Sequence, residues 1–174
     1  AFATFALMPT AHGQLTPSAP QQVSVGISGT APDGKSDKPA VPPNGEIVVF
    51  QSAATNLVAG DSNNVTDIFL ADANNSLSRV SVSSTGEQSN GGSEEPAISP
   101  VFPDGAYAVA FASNATNLVP ELGIVPEARK QIYLRIPAIG KTVLVSRSLN
   151  AGNVGGNGDS THASVTGVDE KEGR

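Results

Sequence analysis

The chain has 174 residues, 39% of them apolar, with 18 glycines and 13 prolines: enough for one domain with a core, and too little Gly and Pro for a low-complexity or collagen-like chain. Only 15% of residues are charged and the net charge is −6, which argues against charge-rich disorder and against a binder of nucleic-acid backbones, which needs a basic face. There is no cysteine, so disulfides, thiolate zinc sites and cysteine nucleophiles are excluded, and His12 and His162 leave little material for metal or acid–base chemistry.

Ala1–Met8 is an uncharged, mostly apolar run, far too short to span a bilayer. With Pro9-Thr10 and Ala11-His12-Gly13 behind it, residues 1–13 resemble the end of a secretory signal peptide, and the mature protein is expected to begin near Gln14. This reading requires a start upstream of Ala1, because no initiator Met or basic segment precedes the run; the alternative is a strand docked on the domain. Residues 14–21 read as a Pro-rich linker. Gln22–Ser28 then reads as a leading strand, the outer strand of a sheet unit.

From there the chain repeats. Ala54-Thr55-Asn56-Leu57-Val58 returns as Ala115-Thr116-Asn117-Leu118-Val119, and Asp67-Ile68-Phe69-Leu70 is matched by Gln131-Ile132-Tyr133-Leu134. Val80-Ser81 recurs as Val145-Ser146, and Ser36-Asp37-Lys38-Pro39-Ala40-Val41 as Ser93-Glu94-Glu95-Pro96-Ala97-Ile98, with a fainter echo at 160–165. The spacing is 57 residues from Val23 to Val80 and 65 from Val80 to Val145. Each copy predicts four short strands: Pro39–Val41 or Pro96–Ile98, Glu46–Gln51 or Ala106–Ala112, Asp67–Ala71 or Gln131–Arg135, and Ser78–Ser83 or Lys141–Arg147. Asn44-Gly45, Asp104-Gly105, Asn74-Asn75 and Ile139-Gly140 supply the turns. No stretch carries a helical period. The second strands are apolar on both pleat faces (Ile47 and Val49, Val48 and Phe50), as expected of a strand packed between two layers. Four strands per unit at this period predict an all-β chain built as a partial β-propeller. It has two complete four-stranded antiparallel blades at about 36–84 and 93–148, a leading outer strand, and a third blade beginning near Ser160.

The chemical motif is Asp61-Ser62-Asn63-Asn64-Val65-Thr66-Asp67. Side-chain oxygens fall at relative positions 1, 3 and 7, with the Val65 carbonyl at position 5. A tight loop with this spacing can wrap Ca²⁺, a hard ion taking six to eight oxygens. Asp61, Asn63, Val65 and Asp67 are the expected ligands; the bland alternative is an Asx-rich turn with solvated carboxylates. The second copy lacks the motif at 121–131. The Gly-rich run at 152–160 lacks the Lys-Ser/Thr and following helix of a phosphate loop, and reads as a connection between units. Asp37-Lys38, Glu94-Glu95 and His162 fall at equivalent positions of first strands, where a propeller has its channel mouth and a binding rim can form.

Ser93–Ser99, Asp104-Gly105, Val109–Ser113 and Asp67–Asp72 resemble TolB-like, WD-repeat-like propeller repeats, over about residues 22–174. The resemblance implies a propeller of at least four blades, so the chain is expected to be part of a longer protein or to be completed by further chains. It also implies one of two roles. The first is a secreted, periplasmic or cell-surface binding or scaffold module for a protein or glycan partner. The second is the non-catalytic propeller of a larger hydrolase such as a prolyl-oligopeptidase-like peptidase. No nucleophile elbow or other catalytic set occurs in these residues, and neither a membrane span nor a nucleic-acid partner is expected.

Overall fold

Eight strands make two sheets in the computed structural model, which describes residues 21–122, 129–148 and 155–166. The expected leader at 1–13, residues 14–20 of the linker, and the end of the third unit at 167–174 lie outside the described residues. The first sheet is β1 (Ser36–Ala40), β2 (Val48–Ser52), β3 (Asp67–Ala71) and β4 (Leu77–Arg79); the second is β5 (Ser93–Ile98), β6 (Val109–Ser113), β7 (Gln131–Ile136) and β8 (Lys141–Leu144). Both run in sequence order with every neighbour antiparallel. Helix is confined, among the described residues, to three 3₁₀ turns, at Ile27–Gly29, Pro120–Leu122 and Pro137–Ile139. Among those residues no helix is long and apolar enough to cross a membrane.

The two sheets pack side by side. Val49, Ile68, Leu70 and Val80 of the first unit share one core with Val109, Phe111, Tyr133 and Leu144 of the second. Phe50 and Phe69 lie on the opposite face of the first sheet, in a second cluster with Ala54 and Leu57 that Val23 helps to cover. This two-sided burial is why β2 shows no polar alternation. Phe50 pairs across the ladder with Phe69, and Phe111 with Tyr133; the ring centroids are 5.9 Å apart in both.

The recurrent Ala-Thr-Asn-Leu-Val run folds the long loop after the second strand back onto the residues that precede the first. Thr55 is held by Asp33, through its N–H (2.7 Å) and its hydroxyl (2.6 Å). Thr116 is held by Asn90 at the same two places: its N–H donates to Asn90 Oδ1 and its hydroxyl accepts from Asn90 Nδ2, at 2.8 Å each. Asn56 Nδ2 donates to the Ala31 carbonyl (2.8 Å), and Asn117 Nδ2 to that of Gln88 (2.9 Å). Leu57 and Leu118 are buried beneath. Gly34 and Gly91 pass so close to the opposing backbone that a Cβ would sit 2.5 Å from Ala53 or 2.8 Å from the Ala115 nitrogen.

Element boundaries differ from expectation at several places: β2 and β6 begin at Val48 and Val109, two and three residues later than expected, and β7 runs one residue further, to Ile136. The first strands begin at Ser36 and Ser93 rather than at the prolines, because serine pairs tie them to β2 and β6: Ser36 to Ser52 at 2.9 Å and Ser93 to Ser113 at 3.0 Å. The fourth strands are shorter than expected. The chain leaves the ladder where Val82 N–H turns back to the Val80 carbonyl, and Arg147 N–H to that of Val145. The leading strand expected at Gln22–Ser28 does not form. With no strand alongside among the described residues, Gly26 N–H bonds to the Thr30 carbonyl, Ile27 N–H to that of Asn56 (2.8 Å), and the segment makes a 3₁₀ turn with Ser28 left-handed. Residues 160–166 form no strand, but Ser160 N–H donates to the Lys130 carbonyl (2.8 Å) as Ser93 N–H does to that of Thr66 (2.7 Å).

The Tyr133 hydroxyl donates to the Ala115 carbonyl at 3.0 Å, and burial pushes its pKa from 10.0 up to about 12. The folded chain therefore holds this proton more tightly than the unfolded one. The stability involved is fully present below pH 10 and is lost as pH rises toward about 12. Tyr133→Phe is expected to cost about 1–2 kcal/mol at neutral pH and to flatten this alkaline limb. Urea titrations at neutral and alkaline pH measure both.

Candidate functional site

The sequence-predicted ligands lie on the loop between β2 and β3 and at the first position of β3, and the structure sets two of them, Asp61 and Asp67, beside the Arg79 guanidinium. Asp67 is 0% exposed, at the first position of β3. Its Oδ1 accepts from the hydroxyls of Ser81 (2.5 Å) and Ser89 (2.9 Å). Its Oδ2 accepts from Asn63 Nδ2 (2.9 Å) and lies 3.6 Å from Arg79 Nε. Asp61 Oδ2 is 3.1 Å from Arg79 Nη2, the two side chains being 2% and 8% exposed. Arg79 Nη1 donates to Gln88 Oε1 at 2.6 Å. Val65 N–H donates to Asn63 Oδ1, closing an Asx turn.

This placement does not fit calcium. Asn63 turns its NH₂ toward Asp67, both Asp67 oxygens are engaged, and Arg79 supplies the positive charge between the acids. Asp61 Oδ1 is buried without a hydrogen-bond partner. Burial raises the Asp61 pKa, with Asp67 adding to the shift and Arg79 opposing it. Among the described residues no group of three or more His, Asp or Glu side chains is arranged to hold a metal ion.

The second repeat explains what Asp67 does. Gln131 occupies the same place: its Oε1 accepts from the Ser146 hydroxyl (2.8 Å) and the Gly156 N–H (2.9 Å), and its Nε2 donates to the Gly156 and Gly158 carbonyls. The equivalent serines receive the next backbone N–H, Ile68 to Ser81 and Ile132 to Ser146. A buried acceptor at the start of the third strand therefore ties it to the serine just past the fourth strand and to the connection that follows. Sequence reasoning missed Arg79. The available signal was paired: Asp67 and Arg79 are both charged where the other repeat has Gln131 and Leu144.

The second candidate place lies on the first strands. The ladder register slips between Asp37 and Ala40 in β1 and between Glu94 and Ala97 in β5, where Pro39 and Pro96 have no N–H to give. Lys38 and Glu95, just before these prolines, and His162 in the third unit have φ of 52, 55 and 57°. The left-handed region costs a non-glycine residue about 1–2 kcal/mol. Three repeats thus hold the same strained conformation at the same position with Lys, Glu and His. Lys38, Pro39, Glu95, Pro96, His162 and Ala163 together line a cleft of about 290 Å³. Glu95 N–H donates to Gln51 Oε1 (2.9 Å) and His162 N–H to Glu95 Oε2 (2.9 Å), while His162 Nε2 stands 3.3 Å from Glu95 Oε1. Behind the cleft, Lys130 Nζ pairs with Glu94 at 2.8 Å. Of the rim positions read from the repeat, Lys38, Glu95 and His162 share the cleft, while Asp37 and Glu94 do not line it. Their backbone strain was not legible, because none of the three is the Gly or Asn that usually marks a left-handed residue.

These two places belong to an all-β repeat protein of two four-stranded antiparallel sheets. No protein-family model and no curated protein sequence matches the chain.

Proposed function

We propose that the two sheets are adjoining blades of a TolB-like β-propeller, with residues 160–166 opening a third, and that the protein is a secreted, periplasmic or cell-surface binding module. Its protein or glycan partner sits on the cleft formed by Lys38, Glu95 and His162, at the mouth of the central channel. Side-by-side packing, the shared core and the repeated Ser93–Thr66 and Ser160–Lys130 backbone bonds support the architecture. The observation that carries the binding reading is the recurrence of three strained, charged or ionisable side chains facing one cleft. Strain of this kind persists where surrounding structure enforces it, and it clusters at functional sites.

Glycine tests this directly. Ligands for the wild-type chain are selected from a displayed peptide library and a glycan array, and the variant Lys38→Gly/Glu95→Gly/His162→Gly is compared with it. The variant is expected to melt no lower than wild type, because glycine relieves the left-handed cost, and to lose at least about tenfold in affinity, which is about 1.4 kcal/mol. Unchanged affinity for every selected ligand would place binding elsewhere.

A further inference from the structure

We propose that Asn44, between β1 and β2, is a modification site: its side-chain amide is lost by spontaneous deamidation, and the fold accepts the aspartyl product. Asn44 and Asn90 both precede a glycine, the neighbour that leaves its backbone nitrogen most open to approach because it has no Cβ. The structure treats the two oppositely. Asn44 and Gly45 lie in a turn whose residues 43–46 are all exposed, and a Cβ at Gly45 would meet nothing within 4 Å. The Asn44 amide bonds within that turn: Nδ2 donates to Glu46 Oε2 (2.9 Å) and Oδ1 accepts the Glu46 N–H (3.4 Å). Asn90 is held by tertiary structure instead. Its Oδ1 accepts the Thr116 N–H and its Nδ2 donates to the Thr116 hydroxyl, both at 2.8 Å. Gly91 lies so close to Ala115 that a Cβ would stand 2.8 Å from that residue's nitrogen, so its peptide cannot swing toward the Asn90 side chain without parting the two segments.

The step needs water and no other reagent. The Gly45 nitrogen gives up its proton to solvent base and attacks Asn44 Cγ. A C–N bond closes a succinimide ring, and the Cγ–Nδ2 bond breaks to release ammonia. Water then opens the ring at either carbonyl, leaving aspartate or the isoaspartyl link. The Gly45 N–H is engaged with the Pro42 carbonyl at 3.0 Å, so the turn must open first, and exposed turns are the segments that open at least cost. The second repeat already holds the product. Asp104-Gly105 makes the same turn, with the Gly105 N–H on the Phe102 carbonyl (2.8 Å) and the Ala106 N–H on Asp104 Oδ1 (2.9 Å). An aspartate at position 44 therefore needs no rearrangement, and it adds one negative charge beside Glu46 in a chain already at −6.

The test incubates the full chain at mildly alkaline pH, folded and in urea, and follows both sites by peptide mapping after reaction in heavy-oxygen water. In the folded chain Asn44 is expected to convert at least about tenfold faster than Asn90, whose two side-chain hydrogen bonds must break first. In urea the two rates are expected to converge, since each asparagine faces a glycine. Thr116→Val removes one of the bonds on Asn90 and is expected to speed that site. Asn44→Asp is expected to melt with the wild type. Three outcomes would overturn the site: Asn90 converting as fast as Asn44 in the folded chain, a difference that persists in urea, or an Asn44 that stays intact while the urea sample reacts. A lowered melting temperature in Asn44→Asp would overturn the tolerance of its product.

Discussion

Replacing Asp67 with alanine is expected to destabilise the protein by about 3–5 kcal/mol, the range for removing one partner of a buried ion pair. Asp67 has no exposure and takes four contacts on two oxygens, from Ser81, Ser89, Asn63 and Arg79. Truncation leaves the two serine hydroxyls without their carboxylate acceptor, the Asn63 amide with only the Ser89 carbonyl, and Arg79 with Asp61 as its one acidic neighbour. It also unties β3 from the strand and connection that follow it. Gln131→Ala in the second repeat makes a useful comparison, since the same frame is held there by a neutral amide. It is expected to cost less, about 1–3 kcal/mol, because hydrogen bonds are lost without stranding a charge. Urea denaturation followed by circular dichroism measures both. Equal losses in the two variants would show that charge contributes nothing at Asp67. A loss below about 1 kcal/mol for Asp67→Ala would mean that water replaces the carboxylate there.

Most of the sheet was legible because its signals are local and doubled. Ile47–Phe50 and Ala108–Phe111 are apolar on both faces, and the structure buries both faces. Asp67–Ala71 occupies the span expected of it. The Thr and Asn of the recurrent loop run read only as punctuation, because their role depends on Asp33 and Asn90, more than twenty residues away. The same limit applied to Asp61, Asn63 and Asp67. Spacing places oxygens along a loop, but it does not say which way an amide turns or which distant side chain enters. Asn63 presents its nitrogen, and Arg79 arrives from β4, twelve residues beyond Asp67. The leading strand failed for a related reason: β-pattern residues at 22–28 need a neighbour to pair with, and periodicity alone does not supply one.

Arg79→Met keeps an unbranched side chain of similar length and removes the charge. It is expected to cost about 3–5 kcal/mol, since two buried carboxylates then lack a counter-charge. Asp61→Asn in the same background is expected to restore part of that loss, because it removes one of the two uncompensated charges. The double-mutant cycle isolates the Asp61–Arg79 coupling, which neither single variant does. Calcium provides the second arm. With the guanidinium in place the loop offers a divalent ion one unpartnered carboxylate oxygen, so the wild-type melting temperature is expected to be unmoved by chelator or by millimolar calcium. In Arg79→Met the seat between the acids is vacated. Any calcium bound there stabilises by RT ln(1 + [L]/Kd), about 1 kcal/mol for a millimolar site at a few millimolar calcium. A wild-type melting temperature that rises with calcium, falls with chelator and loses both responses in Asp61→Ala would mean that the loop does bind the ion in solution. Arg79 would then have to leave the carboxylates when calcium arrives, so the Asp61–Arg79 coupling should shrink as calcium is added. If the guanidinium is the resident cation, that coupling is the same with and without the metal.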